Sequence, residues 1–177
     1  RVFDDEGWFI TNDAVAMVES DRIERGVRCH GRLGGNFKLL TGSWVPVDEI
    51  RVDAIACGNQ LVRDVIVTGH DHAEIGLLVF IDPVAVTSIG AGNFQSAVRD
   101  PATRAAIATG FAAYNREHRG STRRIGRFLI IDEPAEQYGN ELTDKGYLNQ
   151  TAARLARQEL VTQLYAQATG PDVTILS

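Results

Sequence analysis

The chain of 177 residues contains only two cysteines, Cys29 and Cys57, a single methionine, and aromatic residues at 7% of positions. Two cysteines cannot build the multi-bridge framework of small secreted domains, and a chain of this length can bury enough apolar surface without one. They are read as packing residues of a cytoplasmic protein. Long apolar runs are missing as well. The best, residues 75–81, falls far short of the ~20 residues a helix needs to cross a bilayer, so no membrane partner is expected. An excess of positive charge is also absent. Eighteen basic residues stand against twenty-three acidic ones, a net charge of −5, which gives nucleic acid no overall attraction. The densest basic stretch, residues 116–127, holds Arg119, Arg123 and Arg124 with no aromatic platform for bases, and it reads as a solvated helix end.

Several self-contained chemistries are excluded in the same way. There is no Gly-x-Ser-x-Gly elbow, no Gly-Lys-Ser/Thr phosphate loop and no Cys-His pair at a recognisable motif. Gly90-Ala91-Gly92 lacks the third glycine of a dinucleotide loop, because Gln95 stands there, and no acidic residue follows at the expected distance. His70-Asp71-His72 alternates as residues of a solvated turn do, and with Cys29-His30 it lacks the paired spacing of a zinc site; no metal site is assigned. Repeats, low-complexity tracts and heptads are absent.

What remains, 44% hydrophobic and 23% charged, is the composition of a globular protein. Residues 27–33 and 37–41 form two extended runs around Leu33-Gly34-Gly35-Asn36, a hairpin-like or hinge-like connection. Pro46 opens a helix with the apolar stripe Val47, Ile50, Ala54 and Cys57, and Gly58 stands at its capping position. Residues 62–67 and 75–81 are β-rich and flank a polar turn, which predicts an antiparallel pair. A loose stretch follows to Asp100, and Pro101 then opens a helix with the stripe Ile107, Phe111, Tyr114 and His118. Residues 127–131 predict a third core strand, 133–146 a polar loop, and 149–167 a final helix before the Gly170-Pro171 break. The expected class is α+β: a small mixed sheet flanked by helices and preceded by a linker. The start at Arg1, with no basic or apolar leader after it, reads as the interior of a longer protein.

Three separated pieces carry a further pattern. They are Gly7-Trp8-Phe9-Ile10-Thr11-Asn12-Asp13, then Gly31-Arg32-Leu33 with Phe37-Lys38-Leu39-Leu40-Thr41-Gly42-Ser43-Trp44-Val45, and last Leu142-Thr143-Asp144-Lys145-Gly146. In this order they resemble the final motifs of the adenylate-forming superfamily, which includes acyl-CoA and aryl-CoA synthetases, luciferases and peptide-synthetase adenylation domains. Gly69-His70-Asp71, residues 74–80 and Asn149-Gln150 make feruloyl-CoA synthetases the nearest resemblance. The likeness implies that residues 1–33 are the end of a large N-terminal domain with its linker, and that residues 34–177 are the C-terminal lid domain. The large domain, with the acid pocket and most of the ATP site, would be a missing partner, so the fragment alone would be inactive. The implied reaction consumes ATP and a small carboxylic acid to give an acyl-adenylate, and coenzyme A then displaces AMP. Mg2+ would be held mainly by the missing domain.

The same resemblance implies roles for individual residues. Lys145 would be the catalytic lysine, its ammonium placed where charge gathers in adenylyl transfer; without the likeness it reads as a solvated lysine before a helix. Asp13 would accept hydrogen bonds from the ribose hydroxyls, and Arg32 would hold ribose or phosphate oxygens of ATP or AMP. Gly34 and Gly35 would form the rotation hinge in place of the family's usual charged residue. Gly42 and Trp44 would reach coenzyme A, although Trp44 reads equally well as a core aromatic. Asn12 replaces a usual Gly, no arginine follows Gly42, and residues 89–124 resemble an insertion. The alternative reading is a free-standing, non-catalytic lid-like module that binds a partner domain or acyl carrier.

Overall fold

The computed structural model describes residues 3–11, 13–32, 35–88, 93–135, 141–143, 145–168 and 170–176. Gly34 of the expected hinge, Asn12 and Asp144 lie outside the described residues. The elements follow in the order β1 (Asp13–Met17), β2 (Val27–Arg32), β3 (Phe37–Lys38), β4 (Trp44–Val45), α1 (Val47–Cys57), β5 (Val62–Thr68) and β6 (Ile75–Ile81). Then come α2 (Pro83–Ser88), α3 (Phe94–Arg99), α4 (Pro101–Glu117), β7 (Ile125–Ile131), α5 (Gln150–Ala156), α6 (Gln158–Leu164) and β8 (Val173–Ile175). The architecture is α+β, with a small mixed sheet between helices, as composition and periodicity predict.

The four-stranded sheet has the order β5-β6-β7-β8. β5 and β6 are antiparallel from Val62↔Ile81 to Thr68↔Gly76, whereas β6 and β7 run parallel. A parallel neighbour needs a crossover, and α4 supplies it. Within the stretch read as an insertion, α4 is part of the core, because its Ile107, Phe111 and Tyr114 are buried. Asp100 caps α4 by accepting hydrogen bonds from the amides of Ala102 and Thr103, and Pro101 occupies the first turn. At the other end the buried Asn115 side chain exchanges two hydrogen bonds with the backbone of Ile125, which docks the helix on the first residue of β7.

Strand alternation divides the interior into two cores on opposite faces of the sheet. One contains Val65, Val67, Leu77, Val79 and Phe128 with α1 and α4; the other contains Ile66, Leu78, Phe80 and Leu129 with α5 and α6. β6 is buried at all seven positions, as its unbroken apolar run predicts, and each of its Ile, Leu, Val and Phe side chains contributes about 1.5–3 kcal/mol of transfer free energy. β5 is an edge strand, and α5 covers its exposed backbone. The Gln150 amide accepts from Val67 N–H at 2.9 Å and donates to the Val65 carbonyl at 2.7 Å, while Arg154 donates to the Val67 carbonyl at 3.2 Å. An edge satisfied by side chains offers no template to another chain.

Several local expectations are corrected. The extended run before the glycine pair does not fold onto the run after it: β2 pairs with β1, and β3 pairs with β4. The stretch after Pro83 contains the short helices α2 and α3. The final helix breaks at Arg157, which leaves the helical conformation at φ −108°, ψ 30°. β8, too short to announce itself, closes the sheet against β7. Gly58 does cap α1 as expected, at a negative φ of −76°, and the left-handed residues that follow are Asn59 and Gln60. α1 is capped by Asn36, whose side-chain oxygen accepts from Val47 N–H at 3.1 Å. Arg127 lies in β7 and pairs with Glu74, so the basic stretch is not simply a solvated helix end.

Cys29 is exposed, so only Cys57 keeps a packing role. Burial pushes the Cys57 thiol up to about 11, which leaves it protonated and unreactive at neutral pH. Among the described residues no helix is long and apolar enough to cross a membrane.

Candidate functional site

Asp13 and Arg32 stand opposite one another as partners in the β1–β2 ribbon, although 19 positions separate them in sequence. The ribbon ends there, and Gly34 and Gly35 follow within three residues. The two residues expected to share the nucleotide's ribose and phosphate are thus brought to one strand end beside the expected hinge. Asp13 begins β1, its amide donating to the Thr11 hydroxyl at 3.2 Å. The segment read as a linker is therefore an ordered antiparallel ribbon over part of its length.

Gly35 is held from the side. Arg154 of α5 donates to the Gly35 carbonyl at 3.0 Å and lies over the Phe37 ring at 5.3 Å. Burial lowers its guanidinium below the usual range, and the group holds Gly35, of the expected hinge, through carbonyl dipoles and a ring face.

The β3–β4 turn is tight. Gly42 donates to the Leu39 carbonyl at 2.8 Å and takes φ +81°, a left-handed value that suits glycine. Phe37, Leu39 and Val45 plug into the core beneath, while Leu40 and Trp44 remain 70% and 61% exposed. Trp44 is therefore not a core aromatic. Its ring carries the Lys38 ammonium at 5.0 Å, a cation–π contact on the surface. The turn leans on residues 69–72 through Leu40 N–H to the His72 carbonyl at 2.9 Å. His72 stacks on Tyr165 at 3.7 Å, and burial, with Arg127 nearby, lowers its imidazole below the usual value. Tyr165 is pushed up to about 12, chiefly by burial.

Lys145 sits at the exposed tip of a second tight turn. Leu142 and Leu148 bridge its stem, Gly146 N–H donates to the Thr143 carbonyl at 2.8 Å, and Gly146 takes φ +77°. Tyr147 N–H reaches the Thr143 hydroxyl at 3.1 Å. Leu142, Gly146 and Leu148 also wall a mainly apolar cavity of about 460 Å³ that Phe80, Pro83 and Phe94 line from the sheet and helices.

The two turns belong to different faces of the sheet. Leu148 packs in the core under α5 and α6, whereas Phe37, Leu39 and Val45 pack in the core under α1 and α4. The structure brings Asp13 and Arg32 together but sets Lys145 and Trp44 apart. Sequence reasoning missed Arg154, and also the Glu141–Arg157 pair beneath the lysine turn. Both depend on contacts that cross α5, and no local pattern announces them. Among the described residues no group of three or more His, Cys, Asp or Glu converges to hold a metal.

No protein-family model matches the chain. Over 143 residues it is 22% identical to the probable acyl-activating enzyme 16, chloroplastic, of Arabidopsis thaliana, an alignment covering 76% of this chain and 20% of that protein. The adenylation domain of a carboxylate reductase from Mycobacterium chelonae superposes with a TM-score of 0.73 and 21% identity, covering 94% of this chain and 24% of that one. The A domain of the carboxylic acid reductase from Segniliparus rugosus, solved with AMP and a co-purified carboxylic acid, gives a TM-score of 0.71 at 24% identity, with 94% and 24% of the two chains covered. The A-PCP didomain of the same enzyme with AMP gives 0.70 at 24% identity, over 94% of this chain and 22% of that one. The chain spans about a quarter of the length of these structures and a fifth of the curated relative. Its fold is that of a segment of the adenylation domain of adenylate-forming enzymes.

Proposed function

We propose that the chain is the C-terminal part of an ATP-dependent enzyme that activates a carboxylic acid and passes the acyl group to coenzyme A, with an aromatic acid of the ferulate type as substrate. In the first step a carboxylate oxygen attacks the α-phosphorus of ATP, and the bond to pyrophosphate breaks. Lys145 places its ammonium between the carboxylate and the α-phosphate oxygens, where negative charge is greatest in the transition state. Asp13 accepts from the ribose hydroxyls, and Arg32 offers its guanidinium to ribose or phosphate oxygens. In the second step the thiolate of coenzyme A attacks the acyl carbon and AMP leaves with the bonding pair. Gly42 and Trp44 then face the acceptor, and rotation at Gly34 and Gly35 exchanges one turn for the other. Mg2+ would accompany the nucleotide in the missing domain.

The observation that carries this reading is the placement of the Lys145 turn and the Trp44 turn on opposite faces of one sheet. A body with one turn on each face serves two successive steps by turning, whereas a single fixed site would need both on one face. A second reading keeps the activation step and replaces coenzyme A by a carrier-borne thiol; the likeness to the A-PCP didomain supports it.

The test uses the full-length protein with ATP, a panel of carboxylic acids and coenzyme A. The expected result is acid-dependent release of pyrophosphate and AMP with a new coenzyme A thioester, greatest for ferulate-type acids. Adenylate formation without that thioester, but with acylation of a carrier domain, would favour the second reading. Absence of pyrophosphate release with every acid would reject both.

A further inference from the structure

The turn that presents Lys145 is built over a buried ion pair that its own backbone geometry does not require. Glu141, immediately before the Leu142–Leu148 bridge, has a fully buried side chain, and its carboxylate accepts two hydrogen bonds from Arg157, from Nε at 2.7 Å and from Nη2 at 3.0 Å. Nη2 also donates to the Pro134 carbonyl at 3.3 Å, and the guanidinium lies over the Phe80 ring at 5.0 Å. The Glu141 carbonyl receives Asn149 N–H at 2.7 Å, so both strands of the turn meet at this residue. Arg157 is where the final helix breaks between α5 and α6.

We propose that the Glu141–Arg157 pair is the positioning element of the lysine turn, fixing where Lys145 enters the adenylation site; the inference rests on the catalytic reading of Lys145. A buried ion pair adds little net stability, since desolvation of both charges offsets their attraction, and apolar residues of similar volume do as well or better. What an apolar contact cannot supply is direction. A bidentate arginine fork fixes the plane and position of a carboxylate, whereas a leucine in the same place can slide. Lys145 is only four residues beyond Glu141, so a shift at the foot of the turn carries through to its tip. Misplacement of a reacting group by about 1 Å can cost on the order of 100-fold in rate. Arg157 touches no reacting atom in this scheme and acts only through the turn.

The two half-reactions are measured separately in the full-length enzyme, adenylate formation from acid and ATP, and thioester formation from preformed adenylate. The variants are Arg157→Met, the double variant Glu141→Leu with Arg157→Met, and Lys145→Ala as reference. The double variant buries no unpaired charge, so it folds where the single variant fails. The expected result is that it retains a wild-type melting temperature and thioester step, yet loses about tenfold or more in kcat for adenylation with KM little changed. Arg157→Lys, which keeps the charge and loses the fork, falls between it and wild type. Equal slowing of both half-reactions, or wild-type adenylation in the double variant, would overturn the inference. If Lys145→Ala itself spares adenylation, the catalytic reading fails with it. If Lys145→Ala is selective and the double variant is not, only the positioning role is lost.

Discussion

Lys145→Ala in the full-length enzyme is expected to slow adenylate formation by about 10²–10³-fold while leaving thioester formation from preformed adenylate within about twofold of wild type. The magnitude follows from what is removed: one preorganised charge aimed at a transition state whose charge exceeds that of the ground state. Binding of ATP should change little, because the ammonium is realised as a contact only when the turn enters the site. The selectivity follows from position. Lys145 stands on the face of the sheet opposite Trp44, and the turn that carries it makes its contacts in the core under α5 and α6. Pre-steady-state measurement of both half-reactions decides the matter. Equal slowing of the two would assign the lysine a role in stability or in nucleotide binding instead of adenylyl transfer.

A second large effect is expected far from the site. Gly110 lies in the middle of α4 against the end of α1, where a Cβ would overlap the backbone carbonyl of Cys57 and lie 3.5 Å from the Asn59 amide. That amide already donates to the Ala106 carbonyl at 2.6 Å, which clamps the two helices together. A side chain gains up to about 1 kcal/mol in helix propensity over glycine, but the obstacle here is main chain, which cannot rotate away. Gly110→Val is therefore expected to destabilise the protein by about 3 kcal/mol, a fall of about 10 °C in melting temperature. Gly120→Ala is the control, since a Cβ there meets nothing within 4 Å, and it should be neutral. A wild-type melting temperature for Gly110→Val would show that α1 and α4 part without cost, and that the crossover is not packed as described.

The strands and helices that build the two cores are legible because their signals are local. β6 is an unbroken apolar run, α1 and α4 open on Pro46 and Pro101, and Ile107, Phe111 and Tyr114 recur on one side of a helix. Less is legible where pairing is decided at a distance. The runs on either side of Gly34 and Gly35 look like two arms of one hairpin, yet each finds another partner, and β1 and β4 satisfy their backbones instead. The β1–β2 ribbon carries Val15, Met17 and Val27 largely exposed, so no buried face marks it in the sequence. β8 has three residues, too few for a period, and becomes a strand because β7 offers it an edge. The order of the motifs suggests Lys145 and Trp44, but not that they occupy different faces. That follows from the inward and outward alternation of β5 and β6, which assigns each turn to its own core. Glu141 and Arg157, sixteen residues apart, meet only because α5 returns beneath the turn, and either alone reads as an exposed charge.

The claim that the two faces serve two steps is tested most directly by crossing the variants. Lys145→Ala and Trp44→Ala are made in the full-length enzyme, and the rate of each half-reaction is measured in both under single-turnover conditions. A crossed pattern is expected: the lysine variant slow in adenylation alone, the tryptophan variant slow in thioester formation alone. Loss of the same half-reaction in both variants would mean that the two turns share one site, and would contradict a lid that presents its faces in turn.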